Sequence, residues 1–487
     1  MVKQAASHRQ PPDDIVTTAA PAQLHADPPH DTSAHTPTPP SAIRRVARRR
    51  VVRPRTAPTS VRTHRTGGSM FSSLRTRNFR IFVSGQVVSN TGAWTQRVAQ
   101  DWLVLTLTGS AAAVGIVTAL QFVPTLIFGM LGGLAADRFD KRRILLTTQS
   151  SLGLCSALLA GLCLTGVVQF WHIAVIAFAG GTAAAFDNPT RQAFVHEMVG
   201  ARQLRNAVSI NSAVFNLGAL VGPAVSAALI SAVGIGWSFT ANAGSFAVVV
   251  VALGVIRRAE LHRGLALARG RGQMRSALAE IRRRPELCWP IVLAGICGFF
   301  TSNFPVVLTA FAKDFHLGPG GYGLLTCALA VGSLAGALYS ARRPGARLRN
   351  LMELALALAA AQLLAACMPG MVTLAVALAL TGAACVPFGI AANTSIQLAA
   401  GDAMRGRVMG VYMLVVIGAA AAGGPAIGFL AEWGGARTGL IAGGLVVSAA
   451  AVYVCHRLAR ATHVAVQPEL RMALDRMRGR WAPGIGR

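Results

Sequence analysis

Beyond residue 78 the chain is a succession of long uncharged windows separated by short charged clusters: 81–96, 102–136, 144–186, 206–256, 287–312, 315–341, 354–401, 408–431 and 438–456. A helix crossing about 30 Å of hydrocarbon needs roughly 20 residues. Three windows are too long for one crossing, and each contains a break: Gly166 to Trp171, Gly234-Ile235-Gly236, and Met368-Pro369-Gly370. The first window reaches full length only by running through Arg97 and Asp101, and 102–136 supplies its end plus a second helix. The pattern therefore predicts twelve spans. Membrane strands alternate apolar and polar over about ten residues, so uninterrupted apolar runs exclude a barrel. The expected class is an all-α integral membrane protein.

Span 1 carries a polar stripe. At about 100° per residue, Gln86, Asn90, Trp94, Arg97 and Asp101 fall within an arc of roughly 80°. Ser89, Gln96 and Gln100 widen it, while Val88, Val98, Ala99 and Trp102 take the opposite side. An Arg or Asp facing lipid costs about 2.5–3.5 kcal/mol at mid-membrane, so the stripe must face a cavity or another helix. Arg97 and Asp101, four apart, have the spacing of a helical ion pair. Residues 171–186 are uncharged, which leaves Arg97 as the one cation expected within a span. Span 5 contains Gly218-x-x-x-Gly222-Pro223, small residues for close helix approach next to a residue that kinks.

An internal repeat divides the spans into two six-helix halves. Asn188 and Gln192 recur as Asn393 and Gln397, Arg205 as Arg407, and Gly222-Pro223 as Gly424-Pro425. The expected organisation is a tail at 1–70, a first half at 71–256, a basic connecting loop at 257–288, a second half at 289–457 and a basic tail at 458–487. The N-terminal tail is rich in Pro, Thr, His and Arg and lacks the apolar core of a signal peptide. Its composition is that of a disordered segment. Met70 precedes Phe-Ser-Ser-Leu-Arg-Thr-Arg, a short lead-in to the first span, so a start at Met70 is expected to suffice.

Charge then fixes orientation. The chain is 53% hydrophobic and 13% charged with mean hydropathy +0.50, against roughly 25% charge for soluble proteins. Its net charge is nonetheless +28. Nucleic-acid binding would place that charge on one solvated face; here it sits between apolar runs. With both termini cytoplasmic, the inner connections hold 22 Arg and Lys and the outer ones hold two, Lys313 and Arg437. Such clusters beside a membrane suit anionic lipid rather than nucleic acid. The eight Cys form no CxxC and lie in or beside apolar runs, the pattern of small buried hydrophobes rather than metal ligands. No Walker loop, His-Glu-x-x-His or Gly-x-Ser-x-Gly occurs, so neither a cofactor nor an enzyme is expected.

Twelve spans in two related halves resemble the major facilitator superfamily. The family's signature loop between spans 2 and 3 is matched by Gly133-Leu-Ala-Ala-Asp137-Arg138-Phe-Asp140-Lys141-Arg142-Arg143, with Asp140 where a Gly is usual. The resemblance implies that this loop gates the cytoplasmic side, together with Asp402, Arg405 and Arg407 where span 11 opens; the loop that follows span 8, Arg342 to Arg349, is its basic counterpart in the second half. Phe186-Asp187-Asn188-Pro189-Thr190-Arg191-Gln192-Ala193-Phe194 and Gly401-Asp402-Ala-Met404-Arg405-Gly406-Arg407 resemble the bacterial branch of siderophore and drug exporters. The span 5 motif is similar to that of antiporter members, although a usual span 4 Arg is not seen. The resemblance implies a secondary transporter of the bacterial inner membrane that exports a small organic molecule by alternating access, driven by protons. An importer of the same fold, and a non-transporting sensor or scaffold, are the alternatives. Candidate cavity residues are Gln86, Asn90, Trp94, Arg97 and Asp101, with Asn188, Gln192, Asn393 and Gln397.

Overall fold

The computed structural model describes residues 72–262, 273–342 and 348–461. Among them every regular element is a helix. Eleven helices are long and apolar enough to cross a membrane: Ala111–Arg138, Lys141–Leu164, Phe170–Gly200, Gln203–Val233, Ile235–Val255, Pro285–Asp314, Pro319–Arg342, Arg349–Ala366, Met371–Gly401, Met404–Gly434 and Ala436–Leu458. The twelfth, Arg77–Thr108, has the length at 32 residues but carries the polar stripe. Numbered in chain order, Arg77–Thr108 is span 1 and Ala436–Leu458 span 12. The connections 2–3, 4–5, 6–7, 8–9 and 10–11 define the basic end of the bundle, and the others the far end.

The sequence windows cut span 4 too short. Its helix runs on through Asp187 and Arg191 to Gly200, so the charged stretch that follows the window 144–186 is mostly helix rather than a connection. Only at Gly200, with φ 67°, does the chain turn. Gly401 (φ 65°) does the same between spans 10 and 11, and Gly234 (φ 99°) and Gly435 (φ 82°) turn the chain at the far end. These left-handed values are accessible to Gly at little cost. Part of the expected basic connection at 257–288 is also helical: Gln273–Arg283 buries Ala277 and Ile281, and span 7 begins at Pro285. The N-terminal tail to residue 71 and the chain beyond 461 lie outside the described residues.

The repeat is real but its register differs from the sequence matches. Phe170 and Met371, Gly200 and Gly401, and Gly234 and Gly435 are each 201 residues apart. Asn393 and Gln397 therefore sit one helical turn further along span 10 than Asn188 and Gln192 do along span 4. The counterparts of Asp187 and Arg191 are Phe388 and Ala392, both buried in an apolar cluster.

Buried apolar residues form three clusters whose membership locates the junction between halves. One, at the far end, draws on both: Val98, Leu103, Val114 and Phe239 with Phe304, Phe311, Tyr322 and Ile427. The other two lie toward the basic end and belong to one half each, Phe79, Phe82, Leu145 and Phe194 to the first, Leu287, Leu351, Phe388 and Val447 to the second. Backbones meet across the far-end junction. Gly115 of span 2 packs on the Gly424 backbone of span 11, Gly428 on Ala112, and Gly323 of span 8 on Ala227 of span 5. Small residues allow that approach, as in other membrane helix pairs.

Candidate functional site

Between spans 1 to 6 lies a cavity of about 450 Å³, lined only by first-half residues. Span 1 contributes Ser89, Asn90, Ala93, Trp94, Gln96, Arg97 and Gln100, which include three of the five residues of the stripe seen in the sequence, Asn90, Trp94 and Arg97, and the three that widen it. The position of span 1 follows from its packing on span 5. A Cβ at Gly218 would fall 2.9 Å from the Asn90 carbonyl carbon, and one at Gly222 would meet Trp94 and Thr95. Thr95 donates to the carbonyl of Gly222 at 3.2 Å, beside Pro223. The Gly-x-x-x-Gly-Pro motif thus lets spans 1 and 5 approach closely at Asn90 and Trp94.

Arg97 is exposed although it lies within the bundle, because its side chain stands in the cavity with its Cζ 5.3 Å from the centre of the Trp94 ring. Asp101 behaves differently. It is 3% exposed, does not line the cavity, and accepts a hydrogen bond from the Tyr322 hydroxyl of span 8 at 3.2 Å. Tyr322 also stacks on Trp102 with ring centroids 6.0 Å apart. The expected ion pair along the helix is absent: among the described residues Arg97 has no carboxylate partner, since Asp101 is held across the junction instead.

Span 4 supplies what the uncharged windows concealed. Asp187 is fully buried and accepts from Thr148 Oγ1 at 2.9 Å, Gln149 Nε2 at 2.7 Å, and Arg191 through Nε at 3.0 Å and through Nη2. Arg191 reaches on to Gln86 Oε1 at 3.2 Å. Arg97 is therefore not the only cation within a span, which corrects the sequence expectation. The i,i+4 spacing of Asp187 and Arg191 was the available signal. It was lost because a window that stops at the first charge ends at Phe186. A second network joins spans 1, 3 and 6: Ser156 and Asn242 both donate to Gln96 Oε1, at 2.6 and 2.7 Å.

The remaining candidates do not all converge. Asn90, Trp94, Arg97 and Asn188 line the cavity; Gln86 lies behind it in the Arg191 network. Gln192 is exposed and outside the lining, while Asn393 and Gln397 hydrogen-bond to each other on span 10, also outside it. Phe122, Phe215 and Phe246, unflagged by sequence, form its apolar wall, and Phe215 packs edge-on to Trp94 at 5.7 Å.

At the basic end, the span 2–3 loop is fastened within its own half. Lys141 pairs with Glu197 at 2.7 Å, and Arg142 donates to the Leu253 and Gly254 carbonyls that end span 6, each at 2.6 Å. Asp140 has φ −60° and caps span 3 by accepting from Arg143 N at 3.0 Å. No left-handed residue is required there, so Asp, a strong N-cap, replaces Gly without strain. Gly133 and Asp137 lie in the last turns of span 2 and Arg138 ends it, with Asp137 half-buried. Arg407 contacts Met404 sulfur at 3.6 Å; Arg405 is exposed in the first turn of span 11, and the Asp402 side chain lies outside the described residues.

The far end is closed across the halves. Glu432 of span 11 accepts from the Ser110 hydroxyl and from Ala112 N at 3.3 Å, and so caps span 2. Lys313 donates to the Gly109 carbonyl at 2.7 Å. Gly424-Pro425 lies in this seam, where Asn303, at the break in span 7, donates to the Ala420 carbonyl at 3.0 Å. Among the described residues no group of His, Cys, Asp and Glu is arranged to hold a metal.

A family model described as transmembrane secretion effector matches residues 68–480. The multidrug efflux pump Tap of Mycolicibacterium fortuitum is 30% identical over 64% of this chain and 79% of its own length. The enterobactin exporter EntS of Escherichia coli is 27% identical over 68% of this chain and 77% of its own. Among solved structures, a bacterial homologue of the human lysosomal transporter Spinster, inward-facing and unoccupied, superposes with a TM-score of 0.63 at 15% identity, covering 78% of this chain and 96% of that one. That last likeness is one of fold.

Proposed function

The chain belongs to the transmembrane secretion effector family of the major facilitator superfamily, and from that premise we propose that it exports a small organic molecule across the bacterial inner membrane in exchange for protons. The relatives named as a drug efflux pump and a siderophore exporter support this cargo class and direction. The basic end is cytoplasmic in this reading, as are both termini, and its Arg clusters lie against anionic headgroups. The two halves, with the boundaries expected from the sequence, rock about the far-end junction.

One observation carries the reading: a cavity lined in part by the polar face of span 1, with exposed lining residues Ala93 and Arg97 of span 1, Asn188 of span 4 and Phe215 of span 5 on the basic side of a seam that joins both halves. That arrangement supports reading the protein as a carrier open to the cytoplasm with its outer gate shut. Opening the seam exposes Asp101, now buried against Tyr322, to the outside. Asp101 is the proton-carrying carboxylate of the cycle, loaded when the outer gate opens and unloaded when it shuts. One charge moving through 100 mV supplies about 2.3 kcal/mol, enough for roughly 50-fold accumulation.

The test is Asp101→Asn in proteoliposomes loaded with dansylglycinamide, a neutral fluorescent solute. The amide keeps the shape and loses only the titration. Counterflow should persist while accumulation driven by a pH gradient disappears. Undiminished gradient-driven accumulation would remove Asp101 from the coupling mechanism.

A further inference from the structure

Resting on the export reading, we propose that the cavity takes an amphipathic organic anion: an acid whose carboxylate or phenolate meets Arg97 and whose aromatic or aliphatic body lies along Trp94 and Phe215. Arg97 stands exposed in the cavity with no carboxylate partner among the described residues, stacked over Trp94 at 5.3 Å. The lining contains no Asp or Glu. Its other cation, Arg191, is neutralised by Asp187. Asp101, the nearest carboxylate along the helix, is turned into the far-end seam against Tyr322. Arg97 is thus the one cation of the lining without an ion-pair partner among the described residues.

Two further features point the same way. Gln100, one turn beyond Arg97 on the same lining, is buried, and its Nε2 has no acceptor. A buried donor without a partner is a standing cost that an acceptor relieves. A guanidinium offers donors in a planar fork that matches a carboxylate, and it is less strongly hydrated than an ammonium. The body of the ligand meets Phe122, Phe215 and Phe246, and the volume of about 450 Å³ falls in the range of drug-sized sites. The second half adds no charge at this level: Phe388 and Ala392 occupy the places of Asp187 and Arg191. A cation entering this cavity would find aromatic faces but also a like charge.

The experiment uses the full chain in nanodiscs of neutral phosphatidylcholine and three probes of one shape: dansylglycine (anion), dansylglycinamide (neutral) and dansyl-ethylenediamine (cation). Energy transfer from tryptophan to the dansyl group reports binding. Dansylglycine should bind at least tenfold tighter than the amide, and the cation weakest. Arg97→Gln should abolish the advantage of the acid over the amide, and Arg97→Lys should keep part of it. The comparison among probes on the unaltered protein stands even if a variant fails to fold. Equal or tighter binding of the amide or the cation, or no binding of any probe at millimolar concentration, overturns the proposal. Transport of the same probes into proteoliposomes is read separately. Anion-selective binding without transport counts against export and leaves the anion site standing; transport that prefers the cation leaves export standing and removes the anion site.

Discussion

A methyl group at Gly115 should separate closing of the far end from folding. Built on the backbone, its Cβ would fall 2.5 Å from the Gly424 carbonyl carbon and 3.0 Å from Pro425 N. Both are backbone atoms of span 11, so no rotamer change relieves the contact, and the helices must part by about 1 Å to restore ordinary contact distances of about 3.5 Å. Overpacking of this kind costs about 1–3 kcal/mol. The contact exists only while spans 2 and 11 meet, so the cost falls on the far-end-closed state and spares the open one. A differential of that size shifts the equilibrium about 5- to 150-fold toward the open state. Spin labels at Val167 and Val372, both exposed at the far end in opposite halves, measure the gap, and labels at Phe139 and Leu398 measure the basic end. In a cysteine-free background, Gly115→Ala should move population to longer far-end distances and shorter basic-end distances. Unchanged distributions in a protein of unchanged melting temperature would refute the claim that this seam is a moving gate.

Three further outcomes are expected. Tyr322→Phe keeps the ring on Trp102 but removes the donor to Asp101; a hydrogen bond to a charged group is worth about 1.5–3 kcal/mol, so far-end labels should shift toward the open state at neutral pH. Glu432→Gln should weaken the cap on span 2 by about 1 kcal/mol, a roughly fivefold shift in the same distance measurement with no loss of folded protein. Asp187→Ala leaves Arg191 unpaired where its side chain is only 23% exposed. It should destabilise the first half by about 3 kcal/mol, read as a lowered melting temperature that Arg191→Ala in the same chain partly restores.

Helix number, the two halves and the polar face of span 1 were legible because all three are one-dimensional patterns of charge and small residues. The breaks at Gly234 and at Pro369-Gly370 were legible for the same reason. The extent of span 4 was not. A buried ion pair satisfied by Thr148, Gln149 and Gln86 looks like a loop to any rule that stops at charge, because its partners come from other helices. The register of the repeat was misread because Asn and Gln recur at 205 residues while the backbone recurs at 201. The role of Tyr322 was hidden altogether, since nothing in the sequence links it to Asp101, 221 residues away. The Asp140 cap shows the reverse case: an apparent departure from the family loop becomes ordinary once its φ of −60° is known.

Proton-driven export is tested most directly by transport in a fixed orientation. Inverted membrane vesicles, with the basic end of the protein facing the medium, are given an acidic lumen and dansylglycinamide outside. Export in exchange for protons predicts accumulation in the lumen that collapses with a protonophore and is missing from vesicles lacking the protein. Accumulation only when the gradient is reversed, or uptake indifferent to the gradient, would contradict it.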